Sequence, residues 1–366
     1  MPRLECDYAA PSWAPGAHLQ TIIPARISPR PEVKYRREHW DTPDGDFILF
    51  DWCLPEPKDP KTPILIHFHG LEGASDSHYA IALMHEASIR GWRGCVACYR
   101  SCGGELNRLP RAYFAGDTAE CAWVVQCVHA RFPEAPIYLA GMSLGGNYVA
   151  KYAGDMGESI PSYVRAIAAV GAPLDLVAGS EIVSHGANRL YAKMFLSTLQ
   201  EKVERKIQIF GDFIDVRAFR RVKNLYEFDE VYTAPIHGFK NGMDYWTRCS
   251  AKYVLPDVRV PLLLLNPLND PFQPIWALPT ESDISDFVFL EQPAEGGHIG
   301  FPTGKWPGTI DWLPRHIMHF FDFVPEFPIY LYIAGFRRQF SSPSRSKTSL
   351  WRPKISPSQT FPVDEL

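Results

Sequence analysis

The chain lacks any apolar run long enough to cross a bilayer: its longest nearly unbroken one, Phe327 to Phe336, is far short of the roughly 18 to 20 residues a spanning helix needs. The opening Met1-Pro2-Arg3-Leu4-Glu5-Cys6-Asp7 has two acids and no apolar core. Neither a secretory signal nor a transit peptide is therefore expected, and the expected compartment is the cytoplasm. Basic blocks are missing as well. With 37 Lys and Arg against 41 Asp and Glu the formal net charge is −4, which leaves no electrostatic footprint for nucleic acid. Cysteine is sparse, eight in 366 residues, too few and too irregular for a disulfide scaffold. Cys95, Cys98 and Cys102 do fall at C-x2-C-x3-C spacing. No further Cys or His follows at ligand spacing, and the first two lie inside the apolar run Gly94 to Tyr99, where free Cys behaves as a small hydrophobe. No metal and no cofactor is expected.

What is present is ordinary globular material, 46% hydrophobic and 21% charged. The length suggests roughly two domains at about 150 residues each, or one α/β domain with insertions. Proline separates the regions. Eleven of the 33 prolines fall in the first 63 residues and none between Leu174 and Ala234. Residues 1–35 therefore read as an extended arm, and the Pro-free stretch reads as helical. Asp44-Gly45, between Tyr35 to Trp40 and Phe47 to Leu54, marks a hairpin. From residue 63 apolar runs alternate with amphipathic segments: strands at Ile64 to His69, Gly94 to Tyr99, Ile137 to Ala140, Ala166 to Val170, Pro261 to Leu265 and Phe287 to Leu290, and helices at Ser77 to Arg90 and from Asp117 to about Arg131. That rhythm predicts an α/β fold with a mainly parallel sheet covered by helices on both faces. One body spans 36–325, interrupted at about 174–254 by a helical cap whose segment Asn188 to Ile209 sets Leu190, Met194, Leu199 and Val203 near one face. The tail, 326–366, holds seven serines and four prolines after residue 340 and reads as partly disordered. Phe327 to Arg338 joins apolar bulk to a basic edge, which suits a peripheral membrane contact; Pro328 and Gly335 favour a segment packed on the body instead.

The sharpest chemical signal is Gly141-Met142-Ser143-Leu144-Gly145-Gly146, directly after an expected strand and before an expected helix. A nucleophile elbow needs glycines on both sides because strand, turn and helix backbones approach closely. Ser143 is the expected nucleophile. In this arrangement the acid and the base follow the serine in the chain. Asp270, just past the strand Pro261 to Leu265, is the expected acid, with Asp257, Asp283 and Asp286 as nearby alternatives. His298, in Glu295-Gly296-Gly297-His298-Ile299-Gly300, is the expected base: His67 and His69 precede the serine, His85 and His129 fall in expected helices, and His316 and His319 lie in a C-terminal helix. The Leu144 amide and the Leu71 amide, in His69-Gly70-Leu71-Glu72-Gly73, are the expected oxyanion donors.

These pieces, with Tyr99 to Arg108, Gly116-Asp117-Thr118, Asn269-Asp270-Pro271-Phe272, Gly297 to Phe301 and the early Gly16-Ala17-His18-Leu19-Gln20-Thr21, resemble the YheT-like branch of the α/β-hydrolase superfamily over roughly residues 11 to 323. His78 departs from that pattern, standing where a proline is expected before Tyr79. The resemblance implies an α/β-hydrolase fold, a Ser143–Asp270–His298 triad and hydrolysis of a small-molecule acyl ester, lipid-like or of medium chain. Eukaryotic members of the branch act on acylglycerols, phospholipids or medium-chain esters, and some transfer acyl groups to alcohols. An amidase or peptidase, an alcohol acyltransferase and a non-catalytic binding scaffold remain the alternatives. Arg100 is expected to brace its loop, and the pattern His39-Trp40-Asp41-Thr42-Pro43-Asp44, acyltransferase-like in spacing, is expected to be incidental.

Overall fold

The computed structural model describes residues 6–324. The calls on the tail, including the Phe327 to Arg338 segment, lie outside the described residues. Eight strands, β1 (Lys34–Asp41), β2 (Phe47–Leu54), β3 (Ile64–Phe68), β4 (Arg93–Cys98), β5 (Ile137–Met142), β6 (Val164–Val170), β7 (Leu262–Leu265) and β8 (Val288–Glu291), form one sheet in the order β1-β2-β4-β3-β5-β6-β7-β8. β1 and β2 pair antiparallel, β2 pairs antiparallel with β4, and the remaining neighbours are parallel.

Apart from the polar, half-exposed edge strand β1, the strands are chiefly apolar and buried without alternation because both sheet faces are covered. β7 makes this plain: Leu262 and Leu264 pack with α3 (Thr118–Arg131) and α4 (Leu144–Met156) residues such as Val124 and Tyr148, while Leu263 and Leu265 pack on the opposite face with Leu83 and Ile317. That opposite layer is made by α2 (His78–Ile89) and the final helix (Trp312–Phe323). Between β6 and β7 the chain leaves the sheet for α5 (Leu176–Val183), α6 (Asn188–Phe210), α7 (Val216–Phe219), α8 (Leu225–Phe228), a π turn over Asp229–Thr233, α9 (Ala234–Ile236) and α10 (Gly242–Cys249). The final helix is α11.

Two expectations need correction. The arm of residues 1–35, expected to be extended, carries the ten-residue helix α1 (Ala17–Arg26) with Pro24 inside it. Proline at 24 removes only the donor that the Gln20 carbonyl would have met, and that carbonyl instead abuts Gly300, where a Cβ would lie 1.8 Å from it. Second, α6 buries Leu196, Val203 and Ile207 rather than a face containing Leu190 and Met194, both of which are exposed. The first turns of α6 project past the cap's own core, whose buried members begin at Leu196.

All eight cysteines are free. Cys95 and Cys98 are buried on β4, facing opposite sides of the sheet, and Cys102 follows in the next turn. They pack as small hydrophobes.

Candidate active site

The turn from β5 into α4 carries Ser143 with φ 55° and ψ −120°, a conformation that an L-residue adopts only under constraint. The constraint is close packing on every side. Ser143 N donates to Val170 O at 2.8 Å, a Cβ on Gly145 would lie 2.1 Å from Phe68 O, and one on Gly141 would lie 1.9 Å from Gly145 O. Only glycine fits at 141 and 145, and the result is a serine side chain lifted clear of the sheet.

His298 and Asp270 reach that serine from loops after β8 and β7. His298 Nε2 lies 2.7 Å from Ser143 Oγ, and His298 Nδ1 lies 2.8 Å from Asp270 Oδ2. The carboxylate accepts at Nδ1, so the proton sits there and Nε2 is left as the acceptor for the serine hydroxyl. Asp270 Oδ1 also accepts from Phe272 N at 2.8 Å, which holds both carboxylate oxygens. Asp283, an alternative acid, instead caps its own turn through Thr280, and its pKa is lowered by those bonds.

The amides of Leu71 and Leu144 meet no protein acceptor among the described residues, and both leucines line the same cavity as Ser143 and His298. The loop carrying Leu71 is held by neighbours that the motif alone does not reveal. Tyr79 Oη accepts from Gly70 N at 2.9 Å, Tyr113 Oη accepts from Glu72 N at 3.1 Å, and buried His69 donates from Nδ1 to Gly70 O while accepting from Tyr99 N. Burial pushes the His69 pKa down to about 4, so it acts as a neutral brace.

Sequence reasoning also missed the residues that hold His298. Gln20 on α1 is fully buried; its Oε1 accepts from Gly296 N at 2.9 Å and from Asn269 Nδ2 at 2.8 Å, and its Nε2 donates to Ala14 O and Glu295 Oε1. Thr21 Oγ1 accepts from His298 N at 3.0 Å. Asn269 Oδ1 in turn accepts from Gly297 N at 3.1 Å. The segment Gly16 to Thr21 was noticeable as a motif, but nothing local announces what its side chains grip.

The cavity above the serine has a volume of about 180 Å³ and is chiefly apolar, with Phe195, Leu199, Val203, Phe228, Tyr232 and Trp246 of the cap facing it. Buried Lys206 enters from α6, with Nζ donating to the carbonyls of Leu109, Pro110 and Arg111. Lys202 pairs with Glu72 at 2.8 Å on the same wall. Arg100 is not part of this cavity: its guanidinium is buried against Glu120 at 2.5 Å, Asp46 at 2.9 Å and Asp44 at 3.0 Å, which is loop bracing. His39 pairs with Glu105 and Asp44 with Arg100, so the acyltransferase-like spacing serves structure. The metal-capable cluster among the described residues, Cys6, Glu291 and His316, contributes no residue to the cavity that Ser143 lines; there His316 Nε2 and Glu291 Oε2 already bond each other at 2.7 Å.

Comparison with known proteins agrees with this geometry at the level of family. The family described as the alpha/beta hydrolase fold matches residues 63–305. YheT of Escherichia coli (strain K12), which carries the name of an esterase, is 34% identical over 305 residues, covering 82% of this chain and 88% of its own. Phospholipase ABHD3 of Mus musculus is 32% identical over 321 residues, covering 86% and 78%. Among solved structures, 2,6-dihydroxy-pseudo-oxynicotine hydrolase superposes with a TM-score of 0.53 at 16% identity, covering 79% of this chain and 68% of that one, a likeness of fold. No helix among the described residues is long and apolar enough to cross a membrane. The family match over residues 63–305 and the 34% identity to YheT establish descent: the chain belongs to the α/β-hydrolase superfamily, in its YheT-like branch.

Proposed function

We propose that this protein is a serine hydrolase of carboxylic esters with lipid-like or medium-length acyl chains. One observation carries the reading: an unbroken chain of short hydrogen bonds, Ser143 to His298 to Asp270, opens into an apolar cavity flanked by two amides that meet no acceptor among the described residues. The names of relatives support the ester class, an esterase, a phospholipase and, in Saccharomyces cerevisiae, a monoacylglycerol lipase 28% identical over 266 residues.

In the proposed mechanism His298 Nε2 takes the Ser143 proton as Oγ attacks the ester carbonyl. Asp270 orients the imidazole and stabilises its cation, and the amides of Leu71 and Leu144 bind the oxyanion, each worth about 3 to 4 kcal/mol in the transition state. Collapse of the tetrahedral species breaks the bond to the alcohol, which leaves with the proton from His298. Water, deprotonated by His298, then attacks the acyl-enzyme; the acid is released and Ser143 recovers its proton.

The test is labelling with a fluorophosphonate, followed by rates on p-nitrophenyl esters of increasing chain length beside aminoacyl amides. The wild-type protein is expected to label, Ser143→Ala is not, and esters should outrun amides. Equal labelling of both proteins removes the nucleophile assignment. Faster amide turnover gives the site to a peptidase, transfer to an added alcohol in preference to water gives it to an acyltransferase, and no turnover of any of them leaves a binding scaffold.

A further inference from the structure

α1 buries Gln20, Ile23 and Pro24 against the body, which turns His18, Leu19, Ile22 and Arg26 outward. α6 does the same in its first turns, exposing Leu190 (75% of its surface), Lys193 and Met194. The two faces adjoin: Arg26 Nη2 lies 3.5 Å from Met194 Sδ, and His18 Nδ1 lies 3.3 Å from Tyr191 Oη. A third piece follows from the acid loop. Asn188 Nδ2 donates to Pro271 O at 2.6 Å, and four residues on from there the chain exposes Ile275 and Trp276, the latter at 68%.

This surface leads directly into the site. Tyr191 meets Phe272 at 4.9 Å between ring centroids, and Phe272 meets His298 at 4.5 Å. Large apolar side chains left in water next to residues that line the cavity, as Tyr191 is next to Phe272, call for an occupant. Charge says which kind. Residues 8–31, 182–200 and 271–280 contain no Asp or Glu, although the whole chain carries −4. The same segments contain Arg26, Arg30, Arg189 and Lys193, all exposed, and none of the four forms an ion pair among the described residues. Apolar side chains flanked by cations without ion pairs among the described residues, on segments that themselves carry no acid, complement an anionic lipid surface: the apolar groups enter the acyl boundary and the cations meet the headgroups.

We propose that the outer faces of α1 and the first turns of α6, with the Ile275–Trp276 turn, form a docking face that seats the cavity mouth on an anionic bilayer. In biological terms this rests on the lipid-ester reading above, since an acyl chain would pass from the bilayer toward Ser143 without crossing water. Its test does not rest on catalysis.

Full-length protein is mixed with phosphatidylcholine vesicles with and without about one-third phosphatidylglycerol, and the bound fraction is measured by sedimentation. Wild type and Ser143→Ala are expected to bind the anionic vesicles equally and to leave them as salt is raised. Arg189→Gln with Lys193→Gln should lower partitioning about twenty-fivefold, at about fivefold per cation. Leu190→Ser with Trp276→Ser should lower it by a similar factor, with turnover of a water-soluble short ester unchanged and hydrolysis of a vesicle-borne ester reduced in parallel. The proposal is overturned if wild type does not bind the anionic vesicles, or if both double variants bind as wild type does. A dimer in sedimentation velocity that Leu190→Ser dissociates would give the face to a second copy of the chain and overturn it equally. Binding without turnover of any ester would refute the proposed function and leave the docking face standing.

Discussion

Gln20 Oε1 accepts a hydrogen bond from Asn269 Nδ2 at 2.8 Å, so an N-terminal helix is tied to the residue immediately before Asp270. The same oxygen accepts from Gly296 N, two residues before His298. One carboxamide thus sets the spacing between the loops of the acid and the base. Gln20→Ala should lower kcat on a soluble ester about tenfold to a hundredfold with little change in KM, because it loosens alignment and not binding. Gln20→Glu keeps an acceptor oxygen for Gly296 and Asn269 but turns its second oxygen on Glu295, to which Gln20 Nε2 donates, so part of the rate should return only when Glu295→Gln is added. Steady-state kinetics on the folded variants, checked by circular dichroism, decide the matter; an Ala variant with normal kcat would make the contact merely structural.

Asp270 is the only carboxylate in hydrogen-bond reach of His298 Nδ1 among the described residues. Asp270→Asn should cost about 10⁴ in kcat, since an amide in place of the carboxylate favours the wrong imidazole tautomer. Asp283→Asn should leave turnover near normal, its carboxylate being engaged by Thr280. The reverse pattern would move the acid to the later loop.

Four histidines kept neutral by burial set an acid limit on stability. Burial pushes His67, His78 and His237 down to about 3 and His69 to about 4. In the unfolded chain each titrates near about 6.5, so between that value and the folded one the unfolded state holds the extra protons. Their contribution is therefore intact above about pH 6.5 and is lost as pH falls toward 4, by up to about 1.4 kcal/mol per pH unit for each histidine. His78 Nε2 has no hydrogen-bond partner among the described residues, so His78→Phe removes one proton uptake without breaking a bond at that atom. Urea midpoints from pH 7 to pH 4.5 should fall less steeply in the variant; identical slopes would place the acid sensitivity in other groups.

The buried cluster around Arg100 should be brittle. Asp46 and Glu120 are both buried against it; burial and nearby Asp117 push the Glu120 pKa up, and Arg100 opposes that shift. Arg100→Met leaves those carboxylates without a cation and should destabilise the fold by about 3 to 5 kcal/mol. Glu120→Gln in the same chain should restore part of the loss, measured as denaturant midpoints. Strict additivity of the two changes would mean the pair is uncoupled.

What was legible in the chain follows from how local each feature is. The elbow was readable because Gly141, Gly145 and Ser143 lie within five residues and answer one steric demand. His298 and Asp270 were readable through chain order and flanking glycine or strand, which are still short-range signals. Gln20 was not, since the groups it holds lie 249 and 276 residues away and a buried amide looks in sequence like any surface one. The outward turn of Leu190 and Met194 was hidden for a related reason. Periodicity defines a helical face without saying where its support ends, and on α6 burial begins only at Leu196.

The cap wall offers the most direct control over substrate length. Leu199 lies on α6 between Phe195 and Val203, and all three face the cavity of about 180 Å³. Leu199 is partly buried and makes no polar contact of its own, so a larger apolar residue can turn into the open space without stranding a donor or acceptor. Leu199→Trp should shorten that space while leaving Ser143, His298 and the amides untouched. On the ester reading, kcat/KM for long acyl chains should fall about tenfold or more relative to the shortest ester, with the short-ester rate near wild type, because each excluded methylene is worth about 1 kcal/mol or more in a closed apolar pocket. A chain-length series of p-nitrophenyl esters on both proteins reads the ratio. An unchanged ratio would mean that the acyl chain leaves the serine by another route and that this cavity receives the alcohol side of the ester.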